Sequence, residues 1–65
     1  MYTFLNKNNA NGFSQVEIAK KIGINVSTIN RIINGKQQCS KIMAYCISKA
    51  ISENAEIKDY FKKES

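Results

Sequence analysis

Four polar side chains share one face of a segment near the middle of the chain, and their types indicate hydrogen-bonding chemistry. At about 100° per residue, the spacing i, i+3, i+4 and i+7 brings together Ser27, Asn30, Arg31 and Asn34. The opposite face is apolar and carries Ile29, Ile32 and Ile33. A solvated face would normally carry Lys and Glu, whereas most of these side chains are short and uncharged. They can donate and accept hydrogen bonds on a polar surface, but they supply no reactive group.

The charge of the chain favours a polyanionic partner. The 65 residues include ten Lys and Arg against five Asp and Glu, a formal net charge of +5. The excess lies in residues 1–52, where seven basic side chains accompany a single acid, Glu17, and residues 53–65 carry a net charge of −1. No acid occurs between Glu17 and Glu53. This composition suits a helix pressed into an electronegative groove, although charge alone does not identify the partner as nucleic acid.

Several classes of function are excluded by what the chain lacks. It has no His, no nucleophile–base pair and no paired carboxylates on one face, so we expect no enzyme, cofactor, metal site or small-molecule substrate. Cys39 and Cys46 lie roughly 10 Å apart if they share a helix, which is too far for a disulfide. We interpret both as small hydrophobic residues of a reducing cytoplasm. No apolar run approaches the roughly 20 residues of a membrane span.

The elements that must position the polar face are helices. Apolar residues recur at spacings of three and four, Pro is absent, and the length suits a single domain over 1–65, so we predict an all-α chain of five short helices. Nothing alternates long enough to indicate a strand. The first helix covers 1–12 and is poorly formed because four of its residues are Asn, with Phe4 and Leu5 as anchors. The last, around residues 54–62, carries Ile57, Tyr60 and Phe61. We expect at least one of the two aromatic residues, with Ile57, to cap the core, and leftover apolar area could form a weak two-fold contact.

Local signals mark two helices within residues 14–34. The first begins at a capping box, in which Ser14 accepts from the Glu17 amide and the Glu17 carboxylate accepts from the Ser14 amide. It ends at Gly23, which can adopt the left-handed conformation. The small Ala19 would let the next helix approach closely.

The second of these helices begins from Asn25 as N-cap and runs to about Asn34, where Gly35 ends it. A connection this short suits two helices that cross steeply, which is a helix-turn-helix. A further helix starts at Ser40 and carries the apolar residues Met43, Ala44, Ile47, Ala50 and Ile51.

The stretch FSQVEIAKKIGINVSTINRIINGK resembles the helix-turn-helix of the Cro/phage-repressor family, the XRE-type regulators. The family pattern is matched at Ser14, Gln15, Glu17, Ile18, Ala19, Gly23, Thr28, Ile29, Arg31, Ile32, Gly35 and Lys36. The segment CSKIMAYCISKAI is similar to the family's fourth helix, so the resemblance covers about residues 4–61. Asn8 and Ile33 stand where the family commonly has a pairing Arg and acid, so that salt bridge is not expected.

The resemblance implies a five-helix domain that binds double-stranded operator DNA, usually as a homodimer. We therefore expect a sequence-specific transcriptional regulator of the repressor or Cro type, from a phage or another mobile element, in the cytoplasm of a bacterial or phage-infected cell. The recognition helix, 26–34, would lie in the major groove. Its base-reading residues would be Val26, Ser27, Asn30 and Arg31. Phosphates would be held by Gln15, Asn25, Asn34, Lys36, Gln38 and Lys41.

Two residues of the recognition helix and the class of partner allow more than one interpretation. Arg31 could bind a guanine, contact a phosphate or point into solvent, and Val26 could touch a thymine methyl group or pack on its own helix. A protein-interaction module that reuses this fold, such as an inhibitor or antitoxin-like partner binder, would present an apolar or acidic exposed face. An RNA binder would need exposed aromatic side chains for base stacking, and all six aromatic residues lie outside the recognition helix.

Overall fold

The computed structural model describes residues 1–5 and 14–64, and within these ranges it contains four helices and a two-stranded antiparallel sheet. In chain order the elements are β1 (Tyr2–Phe4), α1 (Gln15–Ile22), α2 (Val26–Ile33), α3 (Lys41–Ile51), α4 (Ile57–Tyr60) and β2 (Phe61–Lys63).

The predicted helix starts are confirmed by their capping hydrogen bonds. The Ser14 hydroxyl accepts from the Glu17 amide at 3.3 Å, which is one of the two bonds expected of the capping box. Asn25 caps α2, because its Oδ1 accepts from the Ser27 amide at 2.7 Å. Ser40 caps α3 in the same way through the Met43 amide at 3.2 Å. These caps satisfy amides at helix N-termini that have no partner within the helix.

The core lies between α1, α2 and α3 and is closed by aromatic residues from both ends of the described chain. Its helical members are Ile18, Ala19, Ile29, Ile32, Ile33, Ala44 and Ile47. Ile33 is thus a core residue at the position where the family often has an acid, while Asn8 lies outside the described residues. Cys39 is also buried, and this burial raises the pKa of its thiol to about 11, so it packs as a protonated apolar group.

The prediction of a helix at the start of the chain is wrong for its described part. Tyr2–Phe4 forms β1 and pairs with β2, so that Phe4 faces Phe61 in the register. Tyr2 also exchanges two backbone hydrogen bonds with Cys39, at 2.8 and 2.9 Å. The sequence Tyr-Thr-Phe favours strand geometry, but three residues are too few to show an alternation. The rest of the predicted helix falls in 6–13, outside the described residues.

The last predicted helix is shorter than expected. α4 covers only Ile57–Tyr60, and its start is stabilised by the Asp59 carboxylate, which accepts from the Glu56 amide at 2.8 Å. Phe61 then adopts an extended conformation and begins β2. Its ring is buried and meets Phe4 edge to face at a centroid distance of 5.2 Å. The expected packing of this aromatic end on the core is confirmed, although a strand provides part of it.

Candidate nucleic-acid interface

The turn between α1 and α2 fixes the crossing of the two helices. Gly23 has φ +74°, the left-handed conformation expected of it. The Gly23 and Ile24 amides both donate to the Ala19 carbonyl, at 2.8 and 3.1 Å. Ala19 itself is buried, as a small residue at the crossing should be. The turn is therefore held by its own backbone.

The outer face of α2 is exposed and free of acidic residues. Ile29, Ile32 and Ile33 are buried on its inner side, as the periodicity predicts. The outer side exposes Ser27, Asn30, Arg31 and Asn34, together with Val26 at 41%. The exposure of the predicted base-reading residues thus agrees with the sequence analysis, while their role in reading bases stays a prediction.

A chain of side-chain amides connects this face to the start of α1. Asn34 Nδ2 donates to Asn30 Oδ1 at 3.2 Å, and Asn30 Nδ2 donates to Gln15 Oε1 at 2.9 Å. Among the described residues, neither N–H group of the Gln15 amide, at the N-terminus of α1, has an acceptor. This series of hydrogen bonds fixes the position of Gln15 relative to α2 and aligns three polar side chains along one surface.

Arg31 is held by two neighbours. Its Nε donates to Gln37 Oε1 at 3.0 Å, and its Nη2 lies 3.5 Å from Thr28 Oγ1. The sequence did not indicate a role for Gln37. It lies beyond the end of α2, and nothing in its type or spacing indicates that the chain returns to Arg31.

The predicted base-reading residues converge on one shallow depression with a volume of about 450 Å³. Its lining consists of Gln15, Val26, Ser27, Asn30 and Arg31. All four predicted base-reading residues therefore meet the first residue of α1 at one site. The site combines a guanidinium, amides and a hydroxyl with one apolar side chain, which are groups that can contact base edges.

The residues predicted to hold phosphates are spread more widely. Asn25 uses its Oδ1 to cap α2 and keeps its amide N–H groups exposed at the helix N-terminus. Lys36 is exposed within the connection between α2 and α3, and Lys41 is exposed as the first residue of α3. Gln38 instead donates to Thr3 Oγ1 of β1 at 3.4 Å, a contact that was not expected. The predicted phosphate set thus frames the α2 face only in part.

Other types of site are not evident in the described ranges, 1–5 and 14–64. They contain no group of three or more His, Cys, Asp or Glu residues that could hold a metal ion. No helix among them is long and apolar enough to cross a membrane. Both cysteines are free thiols. A surface ion pair joins Lys58 to Glu56 at 3.5 Å, away from α2.

Comparison with known proteins identifies the family. The helix-turn-helix family model matches residues 6–52, which is more than half of the chain and includes α1, α2 and α3. No curated protein and no solved structure matches the chain. The matched region contains the capped helices, the Gly23 turn and the exposed face of α2. The chain therefore belongs to the Cro/repressor (XRE-type) helix-turn-helix family of DNA-binding regulators.

Proposed function

We propose that the protein is a sequence-specific transcriptional regulator of the repressor type that places α2 in the major groove of operator DNA. The observation that carries the proposal is the exposed, acid-free face of α2, joined by hydrogen bonds to the N-terminus of α1. The major groove admits one helix and presents a distinct pattern of donors and acceptors for each base pair. A face of amides, a hydroxyl and one guanidinium is complementary to that pattern.

Base reading is assigned to the residues that line the depression. Arg31 would donate to O6 and N7 of a guanine, and Ser27 would donate or accept. Asn30 lies between two other amides, so it would read a base with its second N–H. Val26 would contact a thymine methyl group, because nearly half of its surface is exposed near the start of the helix.

Phosphate contacts are assigned to the ends of the helices. The free N–H groups of Gln15 and Asn25 lie where backbone amides and the helix dipole favour an anion. Lys36 and Lys41 would contact the DNA backbone beyond the recognition helix. Gln38 would contact it only from the position that it occupies beside Thr3. Asn34 would contact a phosphate beside Asn30. The whole chain would act as one domain, and two copies would bind a two-fold operator with half-site centres about 34 Å apart.

Selection of bound sites from random DNA duplexes tests this proposal. We expect enrichment of one inverted repeat, and an affinity that falls steeply as salt concentration rises, because Lys and amide contacts displace counterions. Arg31→Ala should relax the preference at one base pair per half-site, whereas the matched change Lys36→Ala should weaken binding to all sequences about equally. A pool with no enriched sequence, together with an affinity insensitive to salt, would contradict the proposal.

A protein-binding function is the second candidate, and the outer face of α3 favours it. Ile42 and Tyr45 are 77% and 53% exposed, one helical turn apart, so they present an apolar surface. Ile42→Lys with Tyr45→Lys would distinguish the two functions. Each copy of the protein should still bind DNA through α2 after these changes. Binding of a protein partner through the outer face of α3 should be lost.

A further inference from the structure

We infer that Gln37 and Thr28 are positioning residues that hold the Arg31 guanidinium for end-on recognition of a single guanine. The inference rests on the proposed DNA-binding function and deepens it. Arg31 Nε donates to Gln37 Oε1 at 3.0 Å, and Arg31 Nη2 lies 3.5 Å from Thr28 Oγ1. Two hydrogen bonds therefore hold the guanidinium in the protein without DNA.

The pattern of used donors decides which edge of Arg31 remains for DNA. A guanidinium carries five N–H donors in one plane and no acceptor. Gln37 takes the Nε donor and Thr28 takes one Nη2 donor, so the side edge formed by Nε and Nη2 is occupied. Three N–H groups remain, two on Nη1 and one on Nη2. One N–H of Nη1 and the remaining N–H of Nη2 point in parallel from the end edge, and these two donors match O6 and N7 of guanine.

The backbone after α2 explains why Gln37 stands beside Arg31. Gly35 has φ +76°, and its amide donates to the Ile32 carbonyl at 3.1 Å. The Lys36 amide donates to the Arg31 carbonyl at 2.9 Å. This pair of bonds is a Schellman motif, which ends the helix and turns the chain back over its last turn. Gln37 follows that turn directly and is half-buried, so its amide oxygen is held near Arg31.

Fixing Arg31 before DNA binds has two effects on recognition. A long flexible side chain loses rotamer freedom on binding, and a side chain that is already held loses less. The fixed direction also narrows the set of acceptors that the end edge can reach. Gln37 and Thr28 therefore act on specificity through Arg31, without a requirement that either one touches a base.

The positioning can be tested in the free protein because Arg31 is the only Arg in the chain, so its Nε–H signal in a nitrogen-15 NMR spectrum has one assignment. Gln37→Met keeps the length of the side chain and removes the acceptor, whereas Gln37→Glu keeps an acceptor oxygen. We expect slow exchange of the Nε–H proton with water in the parent and in Gln37→Glu, and faster exchange in Gln37→Met. Equal exchange in the parent and Gln37→Met would overturn the inference.

The effect on recognition is measured as the ratio of affinities for the selected operator and for the same operator with the guanine replaced. We expect Gln37→Met to lower this ratio about tenfold, the effect of one hydrogen bond to a charged group. Binding to unrelated DNA and the melting temperature should stay unchanged. Gln37→Glu should keep the ratio while its added charge lowers all affinities.

A comparison of the single variant Arg31→Ala with the double variant Arg31→Ala/Gln37→Met completes the test. If Gln37 acts through Arg31, these two proteins should have the same base preference. A Gln37→Met protein that keeps the full guanine preference would overturn the inference while the proposed function stands. A parent protein that selects no DNA sequence would instead contradict the proposed function, and the exchange of the Nε–H proton would still decide whether Gln37 holds Arg31.

Discussion

The helix-turn-helix and the terminal sheet are held together by contacts of different range. Within residues 14–34, the caps and the turn join groups at most five residues apart, such as Ser14 with Glu17 and Ile24 with Ala19. The terminal sheet joins the two ends of the described chain, since Phe4 pairs with Phe61. The first region specifies its own geometry locally, whereas the second depends on the whole chain being folded.

The surface that we propose binds DNA lies in the region held by local contacts, whereas the elements that close the core lie in the region held by long-range contacts. The α2 face and the Gly23 turn belong to the locally specified region. Phe4 and Phe61, in the terminal sheet, cover the core, and their ring centroids lie 5.2 Å apart. Stability should therefore depend strongly on the terminal aromatic residues, while the shape of the interface should depend on caps and turns.

The largest effect is expected from Phe4→Ala. The Phe4 side chain is 2% exposed and packs on both Phe61 and Tyr60, so its removal leaves a large cavity. We expect a loss of about 3–5 kcal/mol in the free energy of unfolding, measured by urea denaturation. Lys62→Ala, on the exposed side of β2, is the control and should change stability by less than about 0.5 kcal/mol. A loss below about 1 kcal/mol for Phe4→Ala would show that the sheet does not close the core.

Ala19→Leu tests the crossing in the local region. Ala19 is 6% exposed in α1. If α2 crosses α1 at this residue, three additional carbon atoms should force the helices apart. Overpacking of this kind costs about 1–3 kcal/mol, and the change should appear as a lower melting temperature. The neighbouring Lys20 is exposed, and Lys20→Ala should leave the melting temperature unchanged. If Ala19→Leu has the same melting temperature as the parent protein, the two helices do not cross at this residue.

Gly23→Ala isolates the cost of the turn itself. A Cβ atom at Gly23 would meet nothing within 4 Å, so any loss of stability comes from the left-handed backbone at φ +74°. The expected loss is about 1–2 kcal/mol by chemical denaturation. Gly23→Asn should lose less, because Asn tolerates this conformation better. Equal losses for Ala and Asn would indicate that the turn resists any side chain for another reason.

Ser48→Ala should have the smallest effect, with the opposite sign. The Ser48 side chain lies in α3 with no exposed surface, and its hydroxyl has no hydrogen-bond partner among the residues that the structure describes. Removing an unsatisfied buried hydroxyl relieves its desolvation cost, so the variant should be as stable as the parent or more stable by about 1 kcal/mol. A marked loss of stability in urea would reveal a hydrogen bond at this position. Ser52→Ala, at an exposed position just after α3, is the matched control.

The parts of the fold that were predictable from the sequence are those with local causes. Ser14, Asn25 and Ser40 cap their helices as expected, and Gly23 adopts the conformation expected of it. The strand Tyr2–Phe4 was not predictable, because its geometry depends on a partner at the other end of the chain. The early end of α4 has the same cause, since Phe61 leaves the helix to pair with β1.

The candidate site likewise has features that were predictable from the local sequence and features that were not. Periodicity alone indicated that Ser27, Asn30 and Arg31 share an exposed face. The contact of Gln37 with Arg31 could not be predicted, because it depends on how the chain turns after Gly35. The contact of Gln38 with Thr3 requires β1, which the sequence did not indicate.

The backbone contact between the two ends of the described chain also constrains how the protein folds. The Met1 ammonium lies 3.4 Å from the Glu64 carbonyl, 63 residues away, and the Glu64 amide donates back to the Met1 carbonyl at 2.8 Å. Such a contact closes the largest loop that the described chain offers, and its entropy cost must be met before Phe4 and Phe61 can cover the core. The helix-turn-helix can form earlier, from neighbours in sequence. The terminal strands should accordingly form last and open first, so that their amides exchange with solvent while those of α2 remain protected.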